Sequence, residues 1–232
     1  MHFAVVGILL LGVANGLVVV AEQWLPSGLT ALILSTLPFW VVGFEYLMPD
    51  SPKLNVYIIS GLVLGVIGVI IIFAKDLNIT LDVNFFLGGL CLLGAVVAWS
   101  IGSIYWKYKQ ITVRPMMGAS LQMLIAGILQ TALGLILGEQ NNFQLTQSSA
   151  LALAYLIIFG SILGYASYIY SVKNLPLSLV STYAYVNPVI ALLLGWLILD
   201  ESLTITVFIA SGLILVGVAL VRKGNAVPAA DK

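Results

Sequence analysis

Histidine occurs once in the 232 residues, at position 2, and cysteine once, at position 91. A histidine-based metal site or a Ser-His base pair therefore cannot be assembled, and Cys91 has no histidine to draw off its proton. H-E-x-x-H, G-x-S-x-G and P-loop sequences are absent as well. What remains are uncharged polar and aromatic side chains set in long apolar runs, and their chemistry is recognition rather than bond making. Tyr183 and Asn187 are four apart, hence on one helical face, beside Pro188, which has no N–H to offer the carbonyl of Ala184. Such a freed carbonyl and a buried amide are tolerated in lipid where a cavity, water or protein satisfies them, so this trio is a candidate substrate-binding site. Trp99 and Ser103 share a face in the same way, with Trp106 near a basic loop, where a membrane-interface anchor is expected. Tyr165 and Tyr168 form an i, i+3 pair, and Asn15 and Gln122 are amides in apolar surroundings. Each of these also has a plainer reading as helix packing, which aromatic pairs and lone amides in membrane bundles commonly serve. Glu45 is the one carboxylate inside an apolar run, a candidate for proton coupling; its shallow position favours a snorkelling or ion-paired residue near Lys53 instead.

The elements that must position these residues are set by composition. Apolar residues make up 61% of the chain and charged residues 8%, whereas soluble domains carry about a quarter charged residues. Lipid must be the solvent. Uncharged stretches of roughly 18 residues or more, enough to cross a hydrocarbon core as helix, number eight. They are Phe3–Ala21, Gly28–Leu47, Asn55–Phe73, Phe85–Trp106, Met116–Leu137, Ala150–Val172, Leu179–Ile198 and Leu203–Val221. None has the alternation of a barrel strand. The expected fold is an all-α polytopic membrane helix bundle of eight transmembrane helices, tightly packed through short connections such as Leu25-Pro26-Ser27-Gly28 and Leu175-Pro176. Gly12 and Gly16, Gly61 and Gly65, Gly134 and Gly138, and Gly160 and Gly164 have the spacing that permits close helix contact. Residues 223–232 read as a disordered cytoplasmic tail. Net charge is zero, with no basic stripe, so nucleic acid is not an expected partner; no metal or cofactor is expected either.

Orientation follows from Lys and Arg, which stay cytoplasmic during insertion. With a cytoplasmic amino terminus, Lys53, Lys107, Lys109, Arg114, Lys173, Arg222, Lys223 and Lys232 fall inside and Lys75 alone outside. Both termini are then cytoplasmic. A cleaved signal ending near Ala21 is disfavoured, because the run is long and lacks a basic start.

The chain also repeats itself. Leu25-Pro26, Pro38 and Asp50 recur 150 residues later as Leu175-Pro176, Pro188 and Asp200. After a one-residue shift, Ser60-Gly61 matches Ser211-Gly212. Runs one to three thus correspond to six to eight. Five helix starts separate each pair, so the copies enter the membrane from opposite sides, an inverted-topology repeat of three plus five helices, with partial first repeat 1–74 and second repeat 85–222. Pro38 is read as the counterpart of the Pro188 kink. Repeats of this kind recur in secondary transporters, whose substrate site lies near the midplane where the copies meet.

Two stretches carry a family resemblance. Gly12-Val13-Ala14-Asn15-Gly16 with Ala21-Glu22-Gln23-Trp24-Leu25-Pro26-Ser27-Gly28, and Ser181-Thr182-Tyr183-Ala184-Tyr185-Val186-Asn187-Pro188 running into Gly195-Trp196-Leu197-Ile198-Leu199-Asp200-Glu201, resemble signatures of the EamA type of the drug/metabolite transporter superfamily. The resemblance spans residue 3 to about 222 and is nearest to bacterial inner-membrane exporters. It implies efflux of small metabolites, amino-acid-like compounds or drugs by alternating access. It also implies ten helices in two five-helix repeats, so that two helices are expected before Met1. A non-transporting scaffold or an inactive truncated fragment is the alternative. The face that two further helices would cover calls for an upstream segment, a separate partner or a homodimer.

Overall fold

In a computed structural model of the protein, the described residues are 2–49, 51, 54–73, 83–109, 113–142, 145–199 and 205–226, and among them every regular element is helical. Helices satisfy backbone donors and acceptors within one segment, which an apolar solvent requires. In chain order they are α1 (His2–Ala21), α2 (Ser27–Glu45), α3 (Val56–Phe73), α4 (Val83–Tyr108), α5 (Pro115–Ile136) and α6 (Gln147–Asn174). The seventh apolar run divides into α7 (Leu177–Val180) and α8 (Tyr183–Leu199), and α9 (Ile205–Ala226) follows. Six of these, α1, α2, α4, α5, α6 and α9, are long and apolar enough to cross a membrane. Helices α3 and α8, with 18 and 17 residues, rise about 27 and 26 Å against a hydrocarbon core of about 30 Å. Of the eight expected spans, six are thus continuous helices both long and apolar enough to qualify.

The bundle interleaves the two stretches 1–74 and 85–222. Helix α1 lies against α4 and α5, and α2 against α4, α3 and α7. The carboxyl-terminal half of α6 packs on α4, α5 and α7, while its residues 151–160 are all exposed. Helices α3 and α9 make the most extensive contact and do so through glycine. A Cβ on Gly61 would lie 2.5 Å from the carbonyl oxygen of Gly217, and one on Gly217 would lie 2.7 Å from that of Gly61. Without a hydrophobic drive between helices in lipid, close van der Waals contact of this kind holds them together. The partner glycine of the motif, Gly65, faces the Tyr185 ring instead, 2.5 Å from where its Cβ would be. The other spaced pairs are not used in this way: Gly16 has open space, and Gly138 adopts φ +77, the left-handed conformation that ends α5.

Three sequence expectations are corrected. Trp106 is no interface anchor: it is 1% exposed, its Nε1 donates to the carbonyl of Ile169 at 3.0 Å, and side-chain-free Gly118 makes room for its ring. The tail does not begin at 223, because α9 continues to Ala226. Asn225 accepts a hydrogen bond from Ser178 and donates to the carbonyl of Val221, and Gly224 abuts Ile58 and Asn55. Residues 227–232 lie outside the described residues. Finally, Pro38 and Pro188 are not equivalent kinks. Helix α2 breaks at Ser35 and Thr36, so Pro38 falls in the first turn of the resumed helix, where a missing N–H costs no helical bond. The counterpart break, at Ser181 and Thr182, comes earlier, which leaves Pro188 inside α8.

Candidate functional site

Two adjoining cavities occupy the middle of the bundle. One, of about 800 Å³, is lined from α1, α4, α5, α6, α7 and α8; the other, of about 580 Å³, from α1, α2, α4 and α8. Asn15, Trp99, Tyr183 and Asn187 line both and so stand where the two spaces meet. Local structure explains why these side chains point inward. The break at Ser181 and Thr182 starts a new helix at Tyr183, and the hydroxyl of Thr182 donates to the carbonyl of Leu179 at 2.6 Å, which seals the turn. One turn on, Asn187 is exposed to the cavity while its neighbour Pro188 is buried against the wall of the smaller space. In α1, Asn15 follows a π-helical stretch, Ile8–Ala14, and in α6 a second π-helical stretch, Leu156–Tyr165, carries Gly160, Ser161 and Tyr165 to the larger cavity. Wide turns of this kind recur at functional sites.

Hydrogen bonding divides the sequence candidates into two groups. Trp99 Nε1 donates to the Tyr168 hydroxyl at 2.7 Å, and Ser103 Oγ donates to the carbonyl of Trp99 at 2.6 Å. Serine has one proton to give, so the 2.6 Å contact between Ser103 Oγ and Tyr168 Oη must be donated by the tyrosine. The result is a closed ring, Trp99 to Tyr168 to Ser103 to Trp99, that consumes every donor it contains. Ser103 itself is 1% exposed and stands behind the cavity wall. Tyr165 donates to Gln122 Oε1 at 2.6 Å and keeps only acceptor capacity. Tyr183 packs edge-on against Tyr168 with centroids 5.3 Å apart, and among the described residues its hydroxyl, like the amides of Asn15 and Asn187, is not consumed by such a network. The polar groups offered to a guest are thus the Tyr183 phenol and the amides of Asn15 and Asn187, with the hydroxyls of Ser161, Ser167 and Ser171 along α6 and of Ser27 on α2, beside aromatic rings that hold one another.

Glu45 lies elsewhere. It is 4% exposed at the end of α2, where Tyr108 donates to its Oε1 at 3.0 Å, and it is on neither cavity wall. Its expected neighbour Lys53 is outside the described residues. Gln122, weighed in the sequence only as a stray amide, anchors Tyr165, with Gly7 of α1 packed on its backbone. Cys91 sits partly buried beside the cluster of Ala21, Leu25, Leu29 and Leu92, a packing position. Among the described residues, no group of three or more His, Cys, Asp or Glu could hold a metal. From α6 the sequence offered Tyr165 and Tyr168, and the rest of its lining was missed. Gly160, Ser161, Gly164, Tyr165, Tyr168 and Ser171 follow one another at helical spacing, and that small-and-polar stripe in an apolar helix was the available signal.

Residues 86–223 match the EamA-like transporter family over more than half of the chain. The chain belongs to that family. The uncharacterized inner membrane transporter YedA of Escherichia coli (strain K12) is 35% identical over 226 residues, which cover 97% of this chain and 72% of that protein. The uncharacterized transporter YoaV of Bacillus subtilis (strain 168) is 26% identical over 205 residues, 88% of this chain and 69% of its own length. A WAT1-related chloroplastic protein of Arabidopsis thaliana is 27% identical over 210 residues, 86% of this chain and 49% of its own length. A protein solved by crystallography has the same fold, with a TM-score of 0.77 and 21% identity over 94% of this chain and 76% of its own.

Proposed function

We propose that this EamA-like transporter is a multi-pass inner-membrane exporter. It moves small metabolites, amino-acid-like compounds or drugs by alternating access around Asn15, Tyr183 and Asn187, without enzymatic chemistry. The observation that carries the reading is the cavity itself. It lies inside a membrane bundle, helices from both repeats wall it, and its hydrogen-bonding groups are open to a guest. Eight spans are proposed, with α3 and α8 crossing as well, since both are packed within the bundle against α9.

Backbone geometry supports the inverted repeat. Leu25 N bonds Ala21 O at 2.9 Å and Leu175 N bonds Ser171 O at 2.8 Å; Thr30 N bonds Pro26 O and Val180 N bonds Pro176 O, each at 3.0 Å. These are the same bonds, 150 residues apart. The same offset carries the π-helical stretch Ile8–Ala14 onto residues within Leu156–Tyr165. The antiparallel contact of α3 with α9, the third members of each repeat, is centred near the middle of both, as a pseudo-two-fold between them requires. In such a protein one repeat rocks against the other and exposes the shared site to each side in turn.

The test is solute counterflow in liposomes holding the purified chain. Transport is expected, and Asn187→Leu should abolish it while the protein still inserts and folds. Unchanged transport by that variant would make Asn187 a packing residue; no transport of any solute by the unmodified chain would leave a scaffold.

A further inference from the structure

The walls of both cavities contain, among the described residues, no Asp, Glu, Lys, Arg or His. A solute ion moved from water into such a space loses its hydration and meets no countercharge, and only an opposite charge or several directed hydrogen bonds could compensate. One helix start, the first turn of α2 at Ser27 and Gly28, reaches the smaller cavity, but the two helix breaks beside the shared site do not supply such bonds. After the break before α8, Ala184 N bonds Ser181 O at 3.1 Å, and Tyr185 N and Val186 N bond Thr182 O at 3.0 and 3.4 Å. The amides that would otherwise receive an anion are occupied. At the break in α2, Thr36 N bonds Ile33 O and Phe39 N bonds Thr36 O, each at 3.0 Å. An open aromatic cage for a cation is not formed either. Tyr168 is set edge-to-face with Tyr183 and tilted against Trp99, both with centroids at 5.3 Å, so these rings spend their faces on one another. What the site does offer is uncharged groups that both donate and accept, the two amides, the Tyr183 phenol and the hydroxyls of Ser27, Ser161, Ser167 and Ser171, beside apolar and aromatic wall.

We propose that the cavity takes a solute without ionised groups, a flat apolar or aromatic body carrying an amide-like edge that Asn15, Asn187 and Tyr183 recognise. Resting on the transporter reading, this narrows the proposed cargo toward neutral metabolites and drugs and away from zwitterionic amino-acid-like compounds. A primary amide both donates and accepts at one edge and can pair with a side-chain amide on each side, whereas a carboxylate only accepts and an amidinium only donates.

Four probes of similar size separate these chemistries: benzamide, benzoate, benzamidinium and zwitterionic phenylglycine. Equilibrium binding to the full chain in nanodiscs should favour benzamide by roughly ten-fold or more over each of the others. Asn187→Asp should reverse the order toward benzamidinium, by placing a carboxylate where the amide edge lies. Asn15→Asp makes the same test from the opposite wall should the first variant fail to fold. Equal or tighter binding of any ionised probe, no binding of benzamide up to its solubility, or an unchanged order in both folded Asp variants would overturn the proposal. Counterflow of benzamide is read separately. Binding without counterflow keeps the solute class and removes the transport reading.

Discussion

Tyr168 shows how one side chain can belong to a binding cavity and yet have little to give a ligand. Its hydroxyl accepts from Trp99 and donates to Ser103, whose own proton goes back to Trp99. Tyr168→Phe keeps the ring but leaves the Trp99 N–H and the Ser103 lone pairs without that partner. The expected cost is about 1–3 kcal/mol of stability, read as a lowered unfolding temperature in detergent, with counterflow retained at temperatures where the protein is folded. Loss of transport without loss of stability would instead make Tyr168 a direct ligand. Glu45 is the converse case, a buried acid off the cavity walls, bonded to Tyr108. Glu45→Gln preserves an acceptor for Tyr108, so full transport is expected, with the same response to an imposed pH gradient as the unmodified chain. A response abolished in the variant would establish Glu45 as the coupling acid. At this scale the sequence was informative about type and uninformative about availability. Spacing placed Trp99 with Ser103 and Tyr183 with Asn187, but which donors are consumed depends on Tyr168 meeting Trp99 across 69 positions of chain.

Between elements, contact distance decides. The crossing of α3 and α9 admits no side chain at Gly61 or Gly217, since a Cβ at either would fall within 3 Å of the other's backbone. Gly217→Leu is expected to force the helices apart and to abolish recovery of folded protein, because overpacking already costs about 1–3 kcal/mol where neighbours can yield and backbone yields less. Gly212→Leu on the same helix has open space around it and should be recovered normally. Equal recovery of both variants in a detergent gel-filtration assay would contradict this crossing. Four glycine spacings looked alike in the sequence, and only neighbours from a distant helix separated the one that matters. The prolines teach the same lesson. Pro38 and Pro188 stand 150 residues apart, but the helix break preceding each falls at a different distance. One proline therefore caps and the other interrupts.

Across the whole molecule, several groups near helix ends pair with residues far away in the chain. His2 contacts Tyr105, Lys107 donates to the carbonyl of Leu175 at 2.7 Å, Lys173 to that of Val113 at 3.2 Å, and Asn55 to that of Gly224 at 2.8 Å. In a Cys91→Ala background in intact cells, Gln140→Cys should react with an impermeant maleimide, and Lys109→Cys only after permeabilisation. The reverse pattern would invert the proposed orientation. Membrane residence and an all-helical bundle could be read from the chain, because hydropathy and composition act locally along it. The cavity, the closed ring of Trp99, Tyr168 and Ser103, the burial of Trp106 and the isolation of Glu45 were decided by tertiary structure. Each depends on which faces of helices distant in sequence are brought together, and in lipid that choice is made by close packing and hydrogen bonding rather than by hydrophobicity, which is nearly uniform over this chain.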